Sequence, residues 1–166
     1  MSIVDHKMDC STQHKEDVTV ITAGNIPEVS VIIPTYNRSH CIGSAIDSIL
    51  AQNRSDIEII VIDDGSTDAA QEVLENYINR GIITYFRQEN RGPSAARNAG
   101  IKISQGKYVC FLDSDDILEL DSIKVRLSVI QKYNTIGLVC TDFLKFKIEN
   151  NGRKFKFYFF VYNVIG

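Results

Sequence analysis

Two short β-branched runs, Val29 to Ile33 and Ile57 to Ile62, are each followed by a stretch whose apolar residues recur at helical spacing. That alternation leaves few folds open. A strand that is apolar on both faces must be covered on both, and the intervening helices supply the cover. The chain is therefore predicted to be α/β, a mostly parallel sheet flanked by helices.

The element boundaries follow from local chemistry. Pro34 cannot donate to a ladder and is expected to end the first strand. Ser39 is placed to cap a helix carrying Ile42, Ala45, Ile46, Ile49 and Leu50. After the second strand, Asp63-Asp64-Gly65-Ser66 turns the chain into a helix marked by Ala70, Val73, Leu74, Tyr77 and Ile78, which Gly81 closes. Ile82 to Phe86 is a third strand. Pro93 opens a helix through Ala95, Ala96, Ala99 and Ile103 that stops near Gly106, and Tyr108 to Leu112 is a fourth strand. A helix with Ile123, Leu127 and Ile130 and a fifth strand at Ile136 to Phe143 follow. Beyond them the period changes to two, with a turn at Asn151-Gly152, which predicts a C-terminal β-hairpin with a solvated lysine face.

Residues 1–27 read as a polar extension in which Val18 to Ile21 could add an edge strand, and 28–166 as one domain. A net charge of -3 argues against a nucleic-acid partner, which calls for a basic stripe. Four cysteines without C-x-x-C spacing suggest neither zinc nor a disulfide framework, and His6 and His14 share no helical face. No apolar run approaches the length that spans a bilayer, and the N-terminus lacks a signal-peptide core. The expected location is the cytoplasm, with peripheral contact at the inner face of the membrane left open. Gly100 to Lys107 resembles a P-loop but has one residue too many between its glycines, and no G-x-G-x-x-G follows the first strand.

Three unusual segments fall immediately after predicted strands: Pro34-Thr35-Tyr36-Asn37-Arg38, Asp63-Asp64-Gly65-Ser66 and Asp113-Ser114-Asp115-Asp116. In a parallel sheet these ends share one edge, so the segments are expected to meet in a single crevice. Carboxylates crowded at one strand end repel one another unless a cation sits among them. Asp113, Asp115 and Asp116 thus suggest a hard divalent ion, Mn²⁺ or Mg²⁺, shared with phosphate oxygens. Asp64 can accept hydrogen bonds from a base or ribose, and Tyr36 offers a face for stacking. Arg97, near a helix N-terminus, can meet a diphosphate or pair with a crevice aspartate. A phospho-receiver domain fits poorly, since its acidic pair should follow the first strand, where Pro34-Thr35-Tyr36 stands.

Together, Val29 to Arg38, Ile62 to Asp68, Asn90 to Asn98 and Phe111 to Asp116 resemble the family 2 glycosyltransferases in order and spacing. The resemblance implies a Rossmann-like GT-A fold and transfer, with inversion, from a nucleoside-diphosphate sugar, most often UDP-linked, to a saccharide or lipid-linked acceptor. It assigns donor binding to Pro34, Thr35, Tyr36, Arg38, Asp64, Arg97, Asp113 and Ser114. Asp113-Ser114-Asp115 becomes the D-x-D motif, with Asp115 and Asp116 sharing the metal. The catalytic base of the family lies further along than this chain runs. Asp142 and Glu149 sit in no base motif, so no base is assigned. The apolar ending, Phe155 to Ile165, adds to the expectation of a domain incomplete at its C-terminus. A nucleotide-sugar-binding module without transferase activity is the alternative.

Overall fold

A computed structural model describes residues 26–133, 137–139, 144–149 and 152–157, the last two stretches by their backbone. Strands β1 (Val29–Thr35), β2 (Ile57–Asp63), β3 (Thr84–Arg87) and β4 (Tyr108–Phe111) form one sheet in the order β3-β2-β1-β4. Every pairing in it is parallel. Helices α1 (Ile42–Leu50), α2 (Ala70–Asn79), α3 (Pro93–Ile103) and α4 (Ser122–Lys132) alternate with the strands. The fold is α/β, as the alternation predicted.

The period of two divides the central strands between two cores. Val31, Ile33, Ile59 and Val61 pack with Ile42, Ala45, Ile46 and Ile49 of α1, Leu74 of α2, and Ile123 and Leu127 of α4. Ile32, Ile60 and Ile62 form a second cluster with Ala96, and Ala99 packs against it, both on α3. Burying one such isoleucine completely contributes about 1.5–3 kcal/mol. Covered on both faces, β1 and β2 carry the densest share of that burial.

Three boundaries differ from expectation, each because a tertiary contact outweighs a local preference. Pro34 does not end β1, which continues to Thr35 opposite Asp63. The Ile32 carbonyl accepts from Leu112, on the β4 side, and the Thr35 carbonyl from Asp64, on the β2 side. Pro34 shares the parity of Ile32, so its missing N–H faces β4, whose register ends at Ile32 opposite Phe111. No ladder bond is lost there. Ser39 does not cap α1: its N–H is donated to Asp68 Oδ2 at 2.8 Å, and Cys41 stands at the N-cap without a side-chain cap bond. β3 begins at Thr84 rather than Ile82 because the Ile82 N–H closes α2 on the Tyr77 carbonyl, while Gly81, at φ 64°, bonds Ile78. That is the glycine closure expected at this position.

At the N-terminal edge of the sheet the buried Glu58 side chain gathers three donors. Ser30 Oγ donates to Oε1. So do the N–H groups of Gln105, at 2.5 Å, and Gly106, at 2.9 Å; the latter also reaches Ser30 Oγ at 2.8 Å. The α3–β4 connection is thereby locked beneath β1 and β2.

Apart from this sheet, β5 (Leu144–Glu149) and β6 (Gly152–Phe157) pair antiparallel. Gly152 lies in the strand opposite Glu149 rather than in the turn, so the connection is the two residues between them. The expected strand at Val18 to Ile21 lies outside the described residues. So does most of Ile136 to Phe143, where 137–139 take no regular structure.

Candidate functional site

β1, β2 and β3 step outward in one direction, and the chain then returns to place β4 on the far side of β1. Loops leaving β1 and β4 diverge at such a reversal, and a crevice opens beyond the strand ends. Here it has a volume of about 780 Å³ and is lined by Pro34, Thr35, Tyr36, Arg38, Asp64, Arg97, Asp113, Ser114 and Asp115, among others. Every predicted site residue except Asp116 is on that wall. Asn37, Asn90, Gly92, Pro93 and Ala96 complete it; they stand in the motifs but were assigned no binding role. Pro93 at the first turn of α3 was the available signal, since α3 turns its N-terminus toward the crevice.

The carboxylates differ sharply in their surroundings. Asp63 is fully buried and structural: it accepts from Ser66 N at 2.7 Å and from the Tyr85 hydroxyl at 2.7 Å. Burial, reinforced by that bond and by the Asp63 charge, pushes the Tyr85 phenol well above its ordinary range. Asp64, 3% exposed, accepts from Gln88 Nε2 and Arg91 N on one oxygen and from Gly92 N on the other, at 2.7 to 2.9 Å. Its first task is thus to hold the β3–α3 connection against the crevice.

Asp113 and Asp115 are exposed and meet the two arginines. Arg97 Nη2 lies 2.5 Å from Asp113 Oδ1, so of the two partners open to it in the sequence it takes the aspartate here. Arg38 Nε lies 3.6 Å from Asp115 Oδ2. Half-exposed pairs of this kind add little to stability. Asp116 stands just outside the wall, its N–H bonded to the Asp113 carbonyl. Partial burial, then the Asp115 and Asp113 charges, raise its carboxyl above the ordinary value. None of these aspartates caps α4, whose N-cap is Asp121.

Among the described residues, one buried side-chain polar atom has no partner. Thr35 is 2% exposed, and its Oγ1 is buried without a hydrogen bond, at the floor of the crevice. Leaving a buried hydroxyl unpaired costs about 1–3 kcal/mol.

The profile of Glycosyl transferase family 2 matches residues 30–164. The chain belongs to glycosyltransferase family 2. An uncharacterized glycosyltransferase of Rickettsia felis is 47% identical over 109 residues, covering 66% of this chain and 18% of that protein. Chondroitin synthase of Escherichia coli is 32% identical over 153 residues, 92% of this chain and 22% of that one. Staphylococcus aureus TarS 1-349 in complex with UDP-GlcNAc superposes with a TM-score of 0.59 at 28% identity, over 72% of this chain and 39% of that chain. The mannosyltransferase PcManGT from Pyrobaculum calidifontis in complex with GDP-Man and Mn2+ does so with 0.59 at 26%, over 64% and 33%. The GT-A fold is common to all of these superpositions. This chain spans about a fifth of the length of the first of its curated relatives.

For a family 2 glycosyltransferase the donor set on the crevice wall is chemically apt. Among the described residues no group of three or more His, Cys, Asp or Glu is arranged to hold a metal alone. Asp113 and Asp115 nevertheless supply exposed carboxylates at one strand end. A hard ion bound through one or two protein carboxylates takes its remaining oxygens from phosphate and water, so the residues fit Mn²⁺ or Mg²⁺ carried with a diphosphate. Among the described residues no helix is long and apolar enough to cross a membrane.

Proposed function

We propose that this chain is the donor-binding portion of a metal-dependent, inverting glycosyltransferase that uses a nucleoside-diphosphate sugar, UDP-linked in the first instance. One crevice that gathers Arg38 and Arg97 with Asp64, Asp113 and Asp115, and has Thr35 among its lining residues, is the observation that carries this reading. Tyr36, 45% exposed, offers its ring to the base. Asp113 and Ser114 take the ribose, and Arg38 and Arg97 exchange their aspartate partners for the diphosphate. Asp115, with Asp116 behind it, holds the ion. When bound, that ion supplies positive charge to the departing diphosphate. Inversion then requires one in-line attack by an acceptor hydroxyl on the anomeric carbon, aided by a carboxylate base. The complexes of TarS with UDP-GlcNAc and of PcManGT with GDP-Man and Mn2+ support the donor class. Chondroitin synthase supports a role in polysaccharide assembly.

A second reading, donor binding without transfer, draws on one feature. Asp64, Asp113 and Asp115, the carboxylates described on the crevice wall, are each engaged with an arginine or with amide donors. Incubation with UDP-sugars and mixed acceptors separates the two, since the second reading expects bound donor and no product.

Titration of UDP by calorimetry, with and without Mn²⁺ and with GDP in parallel, is the direct test. Saturable, Mn²⁺-dependent uptake of UDP is expected; a folded chain that takes up neither nucleotide would overturn the reading. Thr35→Val sharpens it. Exchanging the orphan hydroxyl for a methyl of similar shape is expected to leave the melting temperature equal or higher, because a buried unpaired group is removed. UDP affinity should nevertheless fall about tenfold, the loss of roughly one ligand hydrogen bond. Affinity unchanged in the variant would mean that the hydroxyl meets no ligand.

A further inference from the structure

Between β1 and α1 the chain is held at alternate residues by the loop that leaves β2. The Thr35 carbonyl accepts from Asp64 N at 2.9 Å. Asn37 is held twice: its N–H is donated to Ser66 Oγ at 3.0 Å, and its Oδ1 accepts from Thr67 N at 2.8 Å and from Thr67 Oγ1 at 3.3 Å. Ser39 N is donated to Asp68 Oδ2, and that bond is the main reason the Asp68 carboxyl lies below its ordinary value. The other side of the clasp is itself anchored, Ser66 N on the buried Asp63 and the Ser66 carbonyl on Arg87 Nη2 at 2.6 Å. Between the tied positions stand Tyr36 and Arg38, which share the crevice wall with Thr35 and Asn37 and are both about half exposed; the Arg38 carbonyl accepts from Cys41 and Ile42 N–H at the start of α1. About half of each side chain is open to solvent, and the Arg38 guanidinium meets the exposed Asp115 at 3.6 Å.

Asn37 also adopts φ 52°, a left-handed conformation that asparagine tolerates better than most residues. Its backbone turn falls between Tyr36 and Arg38, which line the crevice as Asn37 does, and its side chain pins that turn to Thr67. We propose that Asn37, clasped by Ser66 and Thr67, is a positioning residue that pre-orders Tyr36 and Arg38 for the base and diphosphate of the donor. The inference rests on the donor-binding reading above and adds to it a residue that acts through its neighbours. Pre-ordering removes from the binding step the entropy of fixing two mobile side chains.

The test uses Asn37→Gly combined with Ser66→Ala. Glycine keeps the backbone turn accessible, while both side-chain ties are lost. In the ligand-free chain, ¹⁵N order parameters at Tyr36 and Arg38 are expected to fall from about 0.85 toward about 0.6, with α1 and α2 unchanged. UDP affinity should drop about tenfold in the wild-type background. In a Tyr36→Ala, Arg38→Ala background the same two substitutions should cost almost nothing, because the residues they position are absent. An equal loss in both backgrounds would overturn the proposal, since Asn37 would then act directly on the nucleotide or through global stability. Unchanged order parameters would overturn it too, whether or not the wild type binds UDP. Failure of the wild type to bind UDP sinks the donor reading instead, and leaves the relaxation measurement to decide whether the clasp orders the loop.

Discussion

Asp115→Asn is expected to abolish the Mn²⁺-dependent part of UDP binding while leaving metal-free binding as strong as before or slightly stronger. The two signs have separate causes. Loss of a carboxylate that holds the ion should cost about a hundredfold or more in Mn²⁺ affinity, given that removing even an outer partner of a ligand costs 10- to 100-fold. In the absence of metal, however, the Asp115 charge only opposes an approaching diphosphate and engages Arg38, 3.6 Å away. Removing it releases that arginine for the phosphate. The side chain is 56% exposed, so the melting temperature should hardly move. Titrations in Mn²⁺ and in EDTA check both signs, and a fall in EDTA as well would show that Asp115 touches the nucleotide itself. Asp116→Asn should cost much less, because Asp116 stands outside the crevice wall.

Gly106→Ala, in the connection between α3 and β4, is expected to be a strongly damaging small substitution. A β-carbon at 106 would lie 2.5 Å from both Ser30 N and Ser30 Oγ and 2.8 Å from the Val29 carbonyl carbon. Backbone atoms of a central strand cannot step aside, and any retreat of residue 106 breaks its N–H bonds to Ser30 and Glu58. Overpacking in such places costs about 1–3 kcal/mol and occasionally more; with the lost bonds about 3 kcal/mol is expected, a drop of about 6–12 °C in Tm. Gly43→Ala provides the contrast. Its added carbon meets only the Tyr77 hydroxyl, at an ordinary 3.7 Å, within α1. There the better helix propensity should stabilise by about 0.5–1 kcal/mol. Thermal melts of the two variants should therefore move in opposite directions. Where the Gly106 variant is still folded it should bind UDP normally, since β1 separates residue 106 from the crevice by its seven residues, about 20 Å.

How much of this was legible beforehand depends on how locally each feature is encoded. β1 and β2 could be read because a strand buried on both faces is written in its own residues. The crevice could be read because parallel strands bring their ends to one edge whatever the details of packing. Ser39 misled, since the aspartate that takes its N–H lies 29 residues away on another loop. The saturation of Asp64 by Gln88, Arg91 and Gly92 was equally invisible, as was the choice of Asp113 by Arg97. Glu58 did carry a signal that went unused: a single charge inside a β-branched run is tolerated only where several donors converge on it. Asn37 and the Thr35 hydroxyl were visible as letters of a motif. What each does depends on φ 52° at one and on a missing partner at the other, neither of which a sequence displays.

Pro34 lies inside β1 with its donorless nitrogen toward β4, at the level where the β1–β4 ladder stops. Two neighbouring strands that both offered hydrogen bonds there would tend to zip shut, and an incoming molecule would first have to part them. Here the strands need not be parted, and only the Arg38–Asp115 and Arg97–Asp113 side-chain pairs have to open. Arrival then becomes a matter of diffusion, charge steering and the exchange of those pairs rather than of waiting for the sheet to breathe. In kinetic language, one imino acid keeps the backbone from acting as the gate.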